Sequence, residues 1–205
     1  REDYAAFVCR LREALNAEGK PVVAALAPKT SAQQRGLLYE AHDYTLLSKA
    51  ANAVFLMTYE WGYVYGEPQA IAPLPQVRAV LDYALSVTAG ENIFLGAPLY
   101  AYDWPLPYEK GRTRAETFSS QAAVARARLV GAEIEFDETA RSPCYHYFDK
   151  MRREHVVWFE DARSLRAKIA LAAEKGLQGI GFWQAGQELA QAWPLLDALV
   201  TLETL

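Results

Sequence analysis

The chain has 205 residues, of which 52% are hydrophobic and 22% charged, with a formal net charge of −4. This size allows one globular core and a small appendage. The absence of a basic run argues against a nucleic-acid partner, and no apolar run reaches the roughly 18 residues of a membrane span. Cys9 and Cys144 lack CxxC spacing and the three histidines show no ligand spacing, so no metal site is predicted.

Helical and strand patterns alternate over the first hundred residues. Helical periodicity begins directly after Arg1-Glu2-Asp3, so the N-terminus does not have the pattern of a signal peptide. Continuous apolar runs bounded by turn residues predict strands buried on both faces. The predicted elements are a helix capped by Asp3, a strand at Val22–Ala27, a helix at Tyr44–Ala51 capped by Asp43, a strand at Val54–Thr58, a helix from Pro75 and a strand at Ile93–Pro98.

The alternation is interrupted in the third quarter of the chain. Residues 105–160 are predicted to form an α+β insertion subdomain, and residues 1–104 with 161–205 the main domain. The predicted elements of the insertion are a helix from Ser119 or Ser120 to Gly131, a strand at Ile134–Phe136 and a hairpin of Cys144–Phe148 with His155–Phe159. A helix starting at Ser164, a buried strand at Gly179–Trp183 and a helix at Trp193–Leu199 follow.

Strands that alternate with helices predict an α/β fold with a parallel sheet. About four βα units fit half of a (β/α)8 barrel of the TIM type, whose whole takes about 250 residues. An open flavodoxin-like sheet also fits four parallel strands. That fold would need a phosphate-binding glycine turn, and the sequence contains neither GxGxxG nor a Walker A pattern. We therefore predict a TIM-type half-barrel with an insertion before its last strand.

Aromatic and acidic side chains collect where the predicted parallel strands end. Tyr59 and Glu60 follow the second strand, and Trp183 closes the last one. The carboxyl ends of parallel strands meet at the edge where α/β proteins bind ligands, and aromatic faces stack on sugars. A purely structural role of Glu60, in which it pairs with Arg112 or Arg114, stays open beside the functional one.

Three strand motifs resemble those of one enzyme family. Met57–Glu60 resembles the Met-x-Tyr-Asp motif of strand six in family 18 glycoside hydrolases, and Gly96–Tyr100 its Gly-x-Pro-x-Tyr strand seven. Gly179–Trp183 is similar to strand eight, which ends in the tryptophan floor of the sugar site. Finer similarities to the bacterial spore-germination branch, the YaaH/SleL type of peptidoglycan N-acetylglucosaminidase, lie at Trp61–Tyr63, Tyr102–Trp104, Asp137–Thr139, Ser142–Pro143 and Val157–Asp161.

The resemblance implies that the chain is the C-terminal half of a catalytic barrel. It implies substrate-assisted, retaining hydrolysis of N-acetylglucosamine polymers, either peptidoglycan of the spore cortex or chitin-like glycans, without metal or cofactor. Tyr59 is expected to position the acetamido group, and Glu60 to bind a sugar hydroxyl or to stabilise positive charge. The expected substrate contacts are Met57, Trp61, Tyr100, Asp103, Trp104 and Trp183. The implied location is the cell envelope, the spore or the extracellular space.

The chain also departs from the family pattern. The acidic signature Asp-x-x-Asp-x-Asp-x-Glu does not occur in it, so the general-acid glutamate is expected before Arg1. The nearest acidic group, at Glu133, Glu135 and Asp137, is predicted to be a solvated strand face. Tyr102 stands where many chitinases have arginine, which weakens the prediction of chitin specificity. An alternative function therefore stays open: a glycan-binding or inert half-barrel that dimerises or is completed by a missing half.

Overall fold

The computed structural model describes residues 1–187 and 189–200. The helices are α1 (Glu2–Asn16), α2 (Tyr44–Ala50), α3 (Leu74–Val87), α4 (Ser120–Val130), α5 (Ala162–Glu174) and α6 (Ala192–Leu199). The strands are β1 (Val23–Leu26), β2 (Ala53–Leu56), β3 (Ile93–Pro98), β4 (Tyr100–Pro105), β5 (Glu116–Ser119), β6 (Glu135–Asp137), β7 (Ser142–Phe148), β8 (Glu154–Trp158) and β9 (Gly179–Trp183). No helix within these two ranges is long and apolar enough to cross a membrane.

Four parallel strands form the first sheet, in the order β1-β2-β3-β9. Helices α2, α3 and α5 lie between them in sequence, as in a partial (β/α) barrel, and the α/β prediction is confirmed. The register pairs Leu26 with Leu56, and Pro98 with Trp183. The carboxyl ends of all four strands therefore meet at one edge of the sheet.

An antiparallel sheet of five strands, in the order β5-β4-β8-β7-β6, precedes the last parallel strand. The predicted hairpin is confirmed as β7 and β8, which pair Cys144 with Trp158. This sheet already includes β4 from Tyr100 onward, so it begins before the predicted boundary at residue 105. The division of the chain into two domains stays a prediction.

Two predicted helix starts differ from the structure because other residues cap them. The N-cap of α1 is Arg1, whose side chain makes no capping hydrogen bond. Asp3 lies in the first turn of the helix, where its carboxylate interacts favourably with the positive end of the helix dipole. Helix α5 starts at Ala162 because Asp161 accepts hydrogen bonds from the backbone of residues 163 and 164, and Ser164 completes the capping box. Asp43 caps α2 as predicted, and Ser119, one of the two predicted starts, caps α4.

The strands differ in burial according to their place in the sheet. Strand β3 lies between β2 and β9, and most of its residues are buried as predicted. Strands β1 and β9 are the edges of the sheet. Every second residue of β1 is exposed, and β9 is half-buried over its first four residues and exposed at Trp183. The prediction of full burial is therefore wrong for these two edge strands.

Two glycines make room for a phenylalanine on the face of the parallel sheet. A Cβ added at Gly181 would lie 2.5 Å from the Phe55 ring, and one added at Gly96 would lie 2.8 Å from the same ring. At Gly96 the added atom would also lie 2.4 Å from the backbone oxygen of Leu56, which cannot turn aside as a side chain can. Glycine at position 96 is therefore required by close strand packing.

Replacing Gly96 by alanine is expected to lower the free energy of unfolding by about 1–3 kcal/mol, because the new methyl group forces the backbones of β2 and β3 apart. Chemical denaturation measures the change. Gly186→Ala is the matched control, because a Cβ there meets nothing within 4 Å. Equal stabilities of the two variants would contradict the packing described for Gly96.

Candidate functional site

The segment after β2 is fixed across the carboxyl edge of the parallel sheet. The amide of Met57 donates to the carbonyl of Leu26 at 2.9 Å, and the buried hydroxyl of Thr58 donates to the carbonyl of Gly96 at 2.7 Å. Two tight turns follow, in which residues 58 and 59 each bond two positions back, so β2 ends at Leu56 rather than at Thr58. Tyr59 and Glu60 are thereby placed at the strand ends.

The carboxylate of Glu60 is held by two tyrosines of β4. The hydroxyls of Tyr100 and Tyr102 both donate to its Oε1, the second at 2.8 Å. No ion pair within the described ranges involves Glu60, and Arg112 instead pairs with Glu109 at 3.1 Å. The alternative that Glu60 pairs with Arg112 or Arg114 is therefore wrong.

Tyr59 is buried, with 8% of its surface exposed. Within the described part of the chain, its hydroxyl has no hydrogen-bond partner. Burial and the neighbouring charge of Glu60 raise the pKa of Tyr59 to about 12, so the phenol stays protonated at neutral pH. A free, protonated hydroxyl at this position can donate a hydrogen bond to a ligand oxygen.

An edge-to-face series of aromatic rings connects the strand end to the second sheet. The ring centroids are 6.4 Å apart for Tyr59 and Tyr100, 5.3 Å for Tyr100 and Tyr102, and 5.4 Å for Tyr102 and Trp104. Such pairs favour the T-shaped geometry seen here. Burial is also the main cause that raises the pKa of Tyr100 and of Tyr102, with Glu60 adding to both.

A pocket of about 740 Å³ opens beside these groups. Four of the predicted site residues line it together: Met57, Tyr59, Glu60 and Trp61. Most of the other lining residues belong to the segment after β1: Pro28, Thr30, Ser31, Gln34, Leu38, Tyr39 and His42. Sequence reasoning missed these residues as site candidates. The signal was their position directly after the carboxyl end of a parallel strand.

Buried Lys29 fixes the segment after β1. Its Nζ donates to the carbonyls of Tyr39 and His42, at 3.3 and 3.1 Å. The Nδ1 of His42 accepts from the amide of Ala27 at 2.8 Å. Burial, followed by the charge of Lys29, lowers the pKa of His42, which favours the neutral ring that this bond requires. These bonds fix the segment after β1 that lines the pocket.

Trp183 is the last residue of β9, at the same edge of the sheet, and its side chain is exposed to solvent. It is 52% exposed, and its carbonyl accepts from the amide of Leu99 at 2.8 Å. The peptide bond to Gln184 is cis. The indole does not line the pocket that contains Tyr59 and Glu60, so its role as a sugar platform stays a prediction.

Asp103 and Trp104 were predicted as substrate contacts, but both are buried and neither lines the pocket. Asp103 is 2% exposed, and its carboxylate accepts bonds from Arg126 and Tyr147 at 2.6 Å and interacts with His155 at 2.7 Å. Trp104 is fully buried. The reason is that β4 lies between β5 and β8, so its alternate side chains enter two different packed layers. Tyr100, another predicted substrate contact, is only 5% exposed, and its hydroxyl donates to Glu60.

Glu133, Glu135 and Asp137 are exposed to solvent as predicted, although β6 contains only Glu135 and Asp137, and Glu133 precedes it. Three or more histidine, cysteine, aspartate or glutamate residues never cluster as a metal site in the part of the chain that the structure covers. The groups that can act on a ligand in the pocket are the phenol of Tyr59, the carboxylate of Glu60 and the aromatic ring of Trp61.

These features define half of a (β/α) barrel with an aromatic, carboxylate-bearing pocket at its strand ends. The family model described as glycosyl hydrolases family 18 matches residues 1–188, and the chain belongs to that family.

Several of the related proteins come from Bacillus species. The cortical fragment-lytic enzyme of Bacillus subtilis (strain 168) is 46% identical over 197 residues, which cover 96% of this chain and 46% of the relative. The Bacillus cereus spore cortex-lytic enzyme SleL gives a TM-score of 0.93 at 41% identity, over 98% of this chain and 46% of that one. A chitinase from Chromobacterium violaceum shares the fold, with a TM-score of 0.87 at 24% identity over 96% of this chain and 61% of that one. The chain spans about half the length of the curated relatives it matches.

Proposed function

We propose that this chain is the substrate-positioning half of a glycosidase that cleaves N-acetylglucosamine-containing glycans, with spore cortex peptidoglycan as the preferred substrate. The observation that carries the proposal is the free hydroxyl of Tyr59, which lies beside the carboxylate of Glu60 in an open pocket. The similarity to cortex-lytic enzymes supports the substrate class and favours a location in the spore or the cell envelope.

The proposed chemistry uses the substrate's own acetamido group as nucleophile. Its carbonyl oxygen forms a bond to the anomeric carbon, the glycosidic bond breaks, and a general acid protonates the leaving oxygen. Water then opens the oxazolinium and restores the acid, so that the anomeric configuration is retained. The acid is proposed to come from residues before Arg1, and no step requires a metal or a cofactor.

The residues of this chain would orient the reacting group. Tyr59 would donate to the acetamido oxygen and hold it below the anomeric carbon. Glu60 would stabilise the positive charge that develops on the sugar. Trp183 would stack on the apolar face of the ring.

The test is an assay of the full-length protein, meaning the complete product of the gene that encodes this chain. With spore cortex peptidoglycan, we expect new N-acetylglucosamine reducing ends, detected by reduction and mass spectrometry. Chitooligosaccharides serve as the second substrate and are expected to react more slowly. A full-length protein that cleaves neither substrate would contradict the proposed function.

A second hypothesis is a half-barrel that binds glycans or is inert and pairs with another half. Strands β1 and β9 are the edges of the parallel sheet in the described ranges. Apolar side chains are also exposed, including Val23 of β1 at 40%, Phe7 of α1 at 59% and Trp193 of α6 at 71%. Unpaired strand edges of this kind are sites of association. If the chain is expressed by itself, we expect a dimer in light scattering, and a monodisperse monomer would contradict the pairing.

A further inference from the structure

Two tyrosine hydroxyls converge on one oxygen of one carboxylate at the edge of the pocket. Tyr100 and Tyr102 both donate to Oε1 of Glu60. Within the residues that the structure covers, Oε2 has no hydrogen-bond partner, and the Glu60 side chain is exposed at the pocket. One oxygen is thus used for holding the carboxylate, while the other is available to a ligand.

The backbone of Glu60 adds a second observation. Its φ of 72° lies in the left-handed region, which side chains with a Cβ rarely adopt. Such a conformation persists only where surrounding contacts fix it. The two phenol bonds are contacts of that kind, because they bind the glutamate side chain to β4.

The two donors to Glu60 are the neutral phenols of Tyr100 and Tyr102, which bring no positive charge to the carboxylate. Burial, reinforced by Glu60, raises the pKa of both phenols above the ordinary value, so that they remain protonated donors. A lysine or arginine in the same place would form an ion pair and cancel the charge of Glu60. Two phenols instead fix its position and leave the negative charge in place.

We propose that Tyr100 and Tyr102 are positioning residues that hold Glu60 as an intact negative charge facing the sugar. The inference rests on the proposed glycosidase function. The role of Glu60 is then to stabilise the positive charge of the transition state, more than to bind a hydroxyl of the bound substrate. Tyr59 belongs to the same unit, because its ring packs edge-on against Tyr100.

The test compares Tyr102→Phe, Glu60→Gln and the double variant in the full-length protein, with kcat and KM measured separately on cortex peptidoglycan fragments. We expect Tyr102→Phe to lower kcat about tenfold, as for the loss of one hydrogen bond to a charged group, with KM nearly unchanged. Glu60→Gln is expected to lower kcat about a hundredfold, because it removes the charge itself. The double variant should equal Glu60→Gln, because the phenol acts only through Glu60.

Tyr147→Phe is the matched control. It removes another tyrosine-to-carboxylate bond of the antiparallel sheet, that of Tyr147 to Asp103 at 2.6 Å, and its kcat should equal that of the wild type. If the wild-type protein is active and Tyr102→Phe retains full kcat, or if the two effects multiply in the double variant, the positioning role alone is overturned. If the wild type cleaves no N-acetylglucosaminyl glycan, the proposed function is overturned and this inference with it.

Discussion

Replacing Lys168 by methionine is expected to lower the free energy of unfolding by about 3–5 kcal/mol. Lys168 and Glu160 are both fully buried, and the Nζ lies 2.8 and 3.0 Å from the two carboxylate oxygens. Removal of the lysine leaves a buried carboxylate without a counter-charge. The pair joins the end of the antiparallel sheet to α5, so the loss is expected to affect the whole core. Urea denaturation followed by fluorescence measures it.

The controls separate the buried pair from surface charges. A double variant, Glu160→Leu with Lys168→Met, should recover most of the lost stability, because an apolar pair needs no compensation. Arg78→Met breaks an exposed ion pair with Glu174 and should cost less than about 1 kcal/mol. A double variant that is less stable than Lys168→Met would contradict this interpretation.

The stability deficit of Lys168→Met should also depend on pH. Burial raises the pKa of Glu160 above its ordinary value of 4.5. The Glu160 carboxylate therefore binds a proton more tightly in the folded state than in the unfolded state. Protonation removes the buried charge. The deficit is therefore expected to be smallest near and below pH 4.5 and to grow as the pH rises. Denaturation curves at several pH values test this, and a deficit that grows on acidification would contradict it.

Replacing Tyr59 by phenylalanine is expected to lower kcat/KM of the full-length protein about 10²–10³-fold, the usual loss for one pre-positioned hydrogen-bond donor. The variant keeps the ring and its packing against Tyr100, and it removes only the hydroxyl that would orient the acetamido oxygen. The initial rate at which new N-acetylglucosamine reducing ends form measures the change.

Tyr145→Phe is the control for Tyr59→Phe. The Tyr145 hydroxyl is also buried, but it donates to the carbonyl of Ala123 at 3.0 Å, away from the pocket. We expect a stability loss of about 1 kcal/mol with unchanged kcat/KM. Equal activity of wild type and Tyr59→Phe would remove Tyr59 from the proposed mechanism.

The local sequence was sufficient to predict much of the fold. The bounds of β3 and β9 agree with the apolar runs, since such runs between turn residues depend on few neighbours. The caps Asp43 and Ser119 act within one helical turn and were also predictable. The exposure of β9 depends on its place at the edge of the sheet, a property that no local pattern contains.

The part of the site that depends on local sequence was also predictable. Tyr59 and Glu60 follow a strand, and this position alone places them at the sheet edge. The bonds from Tyr100 and Tyr102 to Glu60 join residues 40 and 42 positions apart, and a single sequence does not specify them. The period of two along β4 does place Asp103 on the face opposite Tyr102, a signal that would have excluded Asp103 from the cleft.

The position of a bound substrate tests the proposed role of this half-barrel most directly. The experiment is a crystal structure of the full-length protein with an N-acetylglucosamine oligosaccharide, kept intact by exchanging the general-acid glutamate for glutamine. We expect the acetamido oxygen at a hydrogen-bond distance of about 2.6–3.2 Å from the Tyr59 hydroxyl, with Oε2 of Glu60 facing the same sugar. A sugar bound with its acetamido group away from Tyr59 and Glu60 would contradict the role proposed for this chain.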